Sequence, residues 1–323
     1  MYLITGCAGF IGFHMSKLLL KKNHKIVGID NLNSYYSVNY KKYRISKLKK
    51  NKNFIFYKFD LSQKKNVEKI FLNYKFTNVI HFAAQPGVMY SYKNPKSYYT
   101  NNVILTDLLV DQIKKNKIKH FIFSSSSSVY GDHKKYPINE NFKFRPKNYY
   151  ARTKITCEKL IKKKLKNTKT SIKIIRPFTV YGPYGRPDML ILKLLSLIGR
   201  NKTIKIYDFG NQMRDFTFVK DVVNIIYLLS NKIDKNLKIL NICASRPIKI
   251  NDIILLVQNI LNKKIKLRYE NKRKGEMKIT YGSNTKLIKY IKFKKFTTIK
   301  NGLHETIKWF KKFNNKNLFI KIK

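Results

Sequence analysis

Apolar runs of strand length alternate with amphipathic stretches through the first half of the chain. The strand-like runs lie at 2–5, 25–29, 53–59, 78–82, 120–124 and 172–175. Between them, 12–22, 64–71, 103–115 and 149–164 repeat apolar positions at helical spacing. This alternation predicts an α/β protein built on a doubly wound parallel sheet. It weakens after Pro177. The segment 182–188 holds two Pro and two Gly and predicts a loop. Beyond it the elements are shorter and mixed, as in a smaller cap over the sheet edge. A helix at 219–229 and a strand at 238–242 are expected to return to the main sheet. The expected division is therefore 1–176, joined by 219–244, as the sheet domain, with 177–323 mainly the cap. No internal repeat or low-complexity linker divides the chain.

Composition adds a packed core and removes one class of partner. Of 323 residues, 43% are hydrophobic and 14% aromatic, which excludes a disordered basic tail. The 69 Lys and Arg against 17 Asp and Glu give a formal charge of +52, which by itself suggests a polyanion partner. The cations, however, are 59 Lys and 10 Arg, spread through every segment. Arg is the better bidentate ligand for phosphate and guanine. The charge therefore reads as compositional drift filling solvated faces, and no nucleic-acid partner is expected. Cys7, Cys157 and Cys243 show neither metal spacing nor a pairable even count. No metal is expected, and a reducing cytoplasm fits. No run of ~18 apolar residues and no secretory signal is present, so a soluble intracellular protein without membrane contact is expected.

The chemistry begins at Thr5-Gly6-Cys7-Ala8-Gly9-Phe10-Ile11-Gly12, between the first strand and the first helix. Gly6 permits a tight turn, Gly9 lets backbone approach a pyrophosphate, and Gly12 allows close helix–strand packing. The helix N-terminus offers free N–H groups to phosphate. Asp30 ends the second strand beside Asn31, where a carboxylate can accept both ribose hydroxyls of NAD and repel a 2′-phosphate. Asp60-Leu61 closes the third strand, where an Asp can take the adenine amino group. Tyr150 and Lys154 stand four apart on one helical face. The hydroxyl run Ser124 to Ser128 precedes them at the end of the fifth strand. A neighbouring ammonium and a cationic nicotinamide ring are expected to lower the Tyr150 phenol, making it a general base toward a sugar hydroxyl.

These blocks resemble the extended short-chain dehydrogenase/reductases, specifically the nucleotide-sugar epimerase branch, and within it the UDP-glucuronate 4-epimerases. The likeness covers nearly the whole chain. Besides the glycine loop it rests on 28–36, 81–88, 124–131, Tyr150-x-x-x-Lys154, 176–189 and 214–217. It implies a Rossmann-like sheet with a smaller C-terminal mixed α/β substrate region, bound NAD, a UDP-sugar substrate and a homodimer built on helices near 103–113 and 155–165. It also implies roles: Ser126 on the sugar O4, Tyr150 as base, Lys154 as its partner, Asn102 near the cofactor, and Phe82, Ala83 and Ala84 lining it. Ser127, Ser128 and Thr179 would hold the sugar carboxylate, with Arg186 a nearby cation. Tyr207 would stack on uracil, Arg214 and Arg273 would meet the diphosphate, and Glu276 would face the nucleotide ribose.

The residues after Ser126 choose the reaction. Related dehydratases carry an Asp–Glu pair there and related decarboxylases a Glu. Ser127 and Ser128 are neutral donors that can hold a carboxylate but supply no acid–base chemistry at neighbouring carbons. The expected reaction is 4-epimerisation of UDP-glucuronate to UDP-galacturonate by transient oxidation to a 4-keto sugar. Met89 departs from the resemblance, where uronate epimerases commonly have Arg. UDP-glucose and UDP-N-acetylglucosamine therefore stay open as substrates. A non-catalytic NAD- or nucleic-acid-binding protein is the remote alternative.

Overall fold

Tyr2–Thr5, Ile26–Ile29 and Asn78–His81 are buried along their whole length. Strands in a sheet covered on both faces have that environment. The computed structural model describes residues 1–198, 203–273 and 275–313. Parts of the predicted C-terminal region, 199–202, 274 and 314–323, therefore lie outside the described residues. In chain order the strands are β1 (Tyr2–Thr5), β2 (Ile26–Ile29), β3 (Phe54–Tyr57), β4 (Asn78–His81), β5 (His120–Ser124), β6 (Ser171–Pro177), β7 (Thr179–Tyr181), β8 (Ile204–Tyr207), β9 (Met213–Phe218), β10 (Lys238–Ile242), β11 (Pro247–Lys249) and β12 (Leu267–Glu270). The helices are α1 (Phe10–Lys21), α2 (Val38–Leu48), α3 (Lys64–Asn73), α4 (Tyr90–Lys93), α5 (Pro95–Tyr98), α6 (Leu105–Lys115), α7 (Tyr149–Lys164), α8 (Leu190–Ile198), α9 (Val219–Ser230), α10 (Ile250–Leu261), α11 (Thr285–Ile291) and α12 (Ile299–Lys312). A π-helical turn, Tyr99–Ile104, runs into α6.

Seven strands form one parallel sheet in the order β10-β6-β5-β4-β1-β2-β3. The order reverses between β1 and β4, which opens a crevice at the carboxyl ends of the strands. Apolar side chains of α1, α2, α9 and α11 cover one face, and those of α3, α6 and α7 cover the other. This is the Rossmann-like doubly wound sheet expected from the alternation. Three further strands make a mixed sheet, β11-β9-β7, and β12 pairs with β8 in parallel. With α8, α10 and α12 they enclose a second core that includes Ile191, Leu194, Phe218, Ile253 and Leu303.

Periodicity missed α2. Its buried face is Tyr40, Lys41, Arg44, Ile45 and Leu48, at helical spacing but carrying two cations, so no apolar stripe marks it.

Buried histidines are held neutral. Thr106 Oγ1 donates to the Asn102 carbonyl at 2.5 Å and so accepts from His81 Nε2, 3.1 Å away. His81 Nδ1 is then the acceptor for the Thr5 hydroxyl at 2.7 Å, which in turn accepts from Ala83 N at 3.2 Å. Burial lowers His81 from 6.5 to about 3, and it does the same to His14. Both take up protons on unfolding below the ordinary histidine range. Their contribution is complete above pH 6.5 and is lost as pH falls toward about 3, at up to about 1.4 kcal/mol per pH unit each. Thermal unfolding scans from pH 7 to 5 should show a falling melting temperature, with a shallower slope in His14→Gln. Parallel slopes would refute this account.

Candidate active site

The glycine turn and the second strand end build the cofactor side. Gly6 sits at φ +72, where a side chain is strained, and a Cβ on Gly12 would stand 2.1 Å from the Gly6 carbonyl oxygen. No side chain caps the first turn of α1, so its N–H groups and positive dipole end face the crevice. Asp30 accepts from Ala8 N at 3.1 Å and from Leu32 N at 2.8 Å, which fixes its carboxylate beside the turn. Gly6, Gly9, Phe10, Ile11, Gly12, Asp30, Asn31, Leu61, Phe82, Ala83 and Ala84 line one cavity of about 810 Å³. A tight turn closed to side chains, uncapped helix N–H groups and a fixed carboxylate together fit NAD.

Two cofactor expectations fall elsewhere. Asp60 is not in the cavity wall: its Oδ1 accepts from Ser62 N at 2.9 Å and from Ser62 Oγ at 2.7 Å, closing a local turn. Asn102 is buried behind the wall in the π-helical turn. Its Oδ1 accepts from Gln85 N at 2.7 Å and its Nδ2 donates to Thr153 Oγ1 at 2.9 Å. It therefore joins the segment after Ala84 to the helix that carries Tyr150.

Ser124 to Ser128, Tyr150, Lys154 and Thr179 line the same cavity. Ser126 Oγ accepts from Ser128 N at 3.2 Å and donates to Ser128 Oγ at 3.1 Å, so the hydroxyl run is turned by its own caps. The electrostatics differ from expectation. Lys154 Nζ donates to the Ser124 carbonyl at 2.8 Å and lies 4.8 Å from the Phe123 ring centroid. Burial lowers its amine to about 8. Burial raises the Tyr150 phenol, opposed by a hydrogen bond with Ser126 and by the Arg186 charge. Burial therefore outweighs the expected lowering, and Lys154 gives its hydrogen bond to the Ser124 carbonyl.

Arg186 lines the cavity in a closed pair. Its Nε and Nη2 reach the two Asp188 oxygens at 3.0 and 2.5 Å, and Tyr35 donates to Asp188 Oδ2 at 3.1 Å. Its charge is thus already matched. Arg214, Arg273 and Glu276 line both this cavity and an adjoining one of about 270 Å³, whose wall includes Tyr207. Tyr207 is therefore outside the main cavity, and the Arg273 guanidinium carbon stands 3.3 Å from its ring centroid. Arg214 donates to Gln212 Oε1 at 2.6 Å, and Gln212 donates to Glu276 Oε2 at 2.9 Å. Reading the sequence missed Tyr35, Lys41 and Asp188, all in the main cavity wall. Tyr35 and Asp188 fall inside quoted blocks, which was the available signal. Lys41 gave none.

The fold has counterparts among known proteins. The chain belongs to the NAD dependent epimerase/dehydratase family, which it matches over residues 2–243. It is 36% identical over 312 residues to UDP-glucuronate 4-epimerase of Thermodesulfobacterium geofontis (strain OPF15), across 96% of each chain. Its structure is similar to that of UDP-glucuronic acid 4-epimerase from Bacillus cereus in complex with UDP-glucuronic acid and NAD, with TM-score 0.91 and 31% identity over 96% of this chain and 99% of that one. UDP-glucose 4-epimerase with UDP-glucose from Thermotoga maritima is also similar, with TM-score 0.88 and 26% identity over 96% and 98%.

Gly12→Ala tests the cofactor side, because its Cβ would collide with the Gly6 carbonyl. The purified variant should retain little or no dinucleotide when heat-released nucleotide is quantified by chromatography. Native content would contradict the assignment.

Proposed function

We propose that the protein catalyses NAD-dependent 4-epimerisation of UDP-glucuronate to UDP-galacturonate. The observation that carries this reading is one cavity shared by Ser126, Tyr150 and Lys154, by the neutral hydroxyls Ser127, Ser128 and Thr179, and by the glycine turn. The uronate epimerases of T. geofontis and B. cereus support the same substrate. Bound NAD would supply the hydride acceptor for C4 and return the hydride to either face. Tyr150 takes the O4 proton and later restores it. Ser126 steadies O4, and Lys154, anchored on the Ser124 carbonyl, holds the region beneath. Ser127, Ser128 and Thr179 hold the carboxylate, which restrains carbon dioxide loss from a β-keto acid. Arg214 and Arg273 receive the diphosphate, with Tyr207 at the uracil end and Glu276 at the ribose. Asp60 and Asn102 support the cofactor wall from outside the cavity.

Among the described residues no helix is long and apolar enough to cross a membrane. Three buried free thiols, Cys7, Cys157 and Cys243, fit a reducing cytoplasm. A homodimer through α6 and α7 completes the reading. Met89 in the cavity wall, in place of a cation, favours a neutral hexose as the second substrate class.

Proton NMR of UDP-glucuronate, UDP-glucose and UDP-N-acetylglucosamine with the purified protein decides. UDP-galacturonate should accumulate to equilibrium. Predominant release of a UDP-pentose, or turnover of the neutral sugars alone, would sink the assignment. Tyr150→Phe should retain NAD and lose about 10²–10⁴-fold in kcat; activity near wild type would remove Tyr150 as the base.

A further inference from the structure

Three consecutive carbonyls of the sugar-facing loop are held by side chains of the dinucleotide-binding layer. His14 of α1 donates from Nε2 to Pro183 O at 2.7 Å. Arg44 of α2 donates from Nη2 to Tyr184 O at 2.6 Å and to Gly185 O at 2.9 Å. From Nη1 it reaches Ala8 O, inside the glycine turn, at 2.9 Å and the Tyr36 hydroxyl at 2.7 Å. Arg44 is fully buried, and among the described residues no carboxylate pairs with it. A buried charge of this kind is tolerable only while its acceptors stay in place.

The loop needs such a hold. Tyr184 takes φ +54, a left-handed backbone that non-glycine residues adopt only when their surroundings enforce it. Its ring centroid lies 4.8 Å from those of Phe13 and of Trp309. The next residues include Arg186 and Asp188, whose closed pair lines the cavity.

We propose that Arg44 and His14 are positioning residues for the sugar. They hang the loop 183–188 on the glycine turn and so fix Arg186, Asp188 and the sugar end of the cavity relative to the cofactor. This rests on the cavity being a nucleotide-sugar site. Neither residue touches the reacting atoms, so the expected signature is in KM.

Steady-state kinetics of the holoenzyme, with whichever UDP-sugar it turns over, test the clamp. His14→Phe and Arg44→Lys should each raise KM about tenfold or more, the scale of one lost buried hydrogen bond. In His14→Phe, which leaves the hold on the glycine turn untouched, kcat and bound NAD should stay within about threefold. His14→Gln, whose amide can donate where the imidazole did, should bring KM back to within about threefold of native. Unchanged KM in a folded His14→Phe or Arg44→Lys protein overturns the proposal, as does a fall in kcat with KM unchanged. If neither folds, His14→Leu decides, since it removes the donor to the Pro183 carbonyl without adding volume: a rise in KM supports the clamp and none overturns it. A wild-type protein that turns over no UDP-sugar sinks the proposed function alone. Backbone hydrogen exchange still reads the clamp: exchange over 183–188 should be about tenfold faster in the variants, and equal exchange overturns it.

Discussion

The ion pair between Glu158 and Arg176 governs how α7, the helix of Tyr150 and Lys154, meets the sheet. Both side chains are 1% exposed, with Nη2 to Oε2 at 2.6 Å and Nε to Oε1 at 2.9 Å. Tyr150, Lys154 and Glu158 follow one another at four-residue spacing on α7, so the carboxylate that grips β6 stands two turns from the phenol. Glu158 also accepts from Ser125 Oγ at 2.5 Å, which ties the serine run to the same anchor. Arg176 donates to the Tyr130 hydroxyl at 2.8 Å, and Tyr130 donates to Asn241 at 2.7 Å, carrying the connection to β10. Removing one partner of such a pair costs about 3–5 kcal/mol because it strands a buried charge. Here it would also free the register of Tyr150 over the strand ends.

The buried cations are few, and only some of them are matched with an acid. Arg176 has Glu158, Arg186 has Asp188, and Lys173 has Asp234 at 3.3 Å. The other interior cations near the cavity use neutral acceptors: Lys154 a carbonyl, Lys41 the backbone and amide oxygens of Asn33, and Arg44 three carbonyls and a phenol. Neutral acceptors leave the charge itself in place. Its cost appears as the lowering of Lys41 and Lys154 to about 8 by burial. The +52 therefore belongs mostly to solvated faces, while the interior handles its cations one at a time.

This explains what the sequence discloses and what it withholds. Strands at 2–5 and 120–124 and the helix at 149–164 were legible because their neighbours in sequence set their periodicity. The glycine turn was legible because its close approaches are local. Glu158 continues a visible four-residue spacing, yet its meaning depends on Arg176 on another strand. Tyr35 with Asp188, and Arg44 with Tyr184 and Gly185, join segments about 140 to 150 residues apart. Their residue types are ordinary surface types until the fold buries them, which is also why α2 escaped notice.

The two ends of the cavity differ electrostatically, and that bears on substrate choice. At the far end Arg214 is held by Gln212 and by backbone carbonyls, with Arg273 and Glu276 beside it, so in the proposed reading two cations and one carboxylate meet the diphosphate. At the sugar end Arg186 is matched by Asp188 and steadied by Tyr35, so its own charge is already compensated. In the proposed reading the uronate is gripped chiefly by hydroxyls, which favour a carboxylate over a hydroxymethyl group only modestly. In that reading the diphosphate supplies most of the affinity. The same scaffold can thus serve uronate and neutral-hexose epimerases alike, as its similarity to both kinds of enzyme requires.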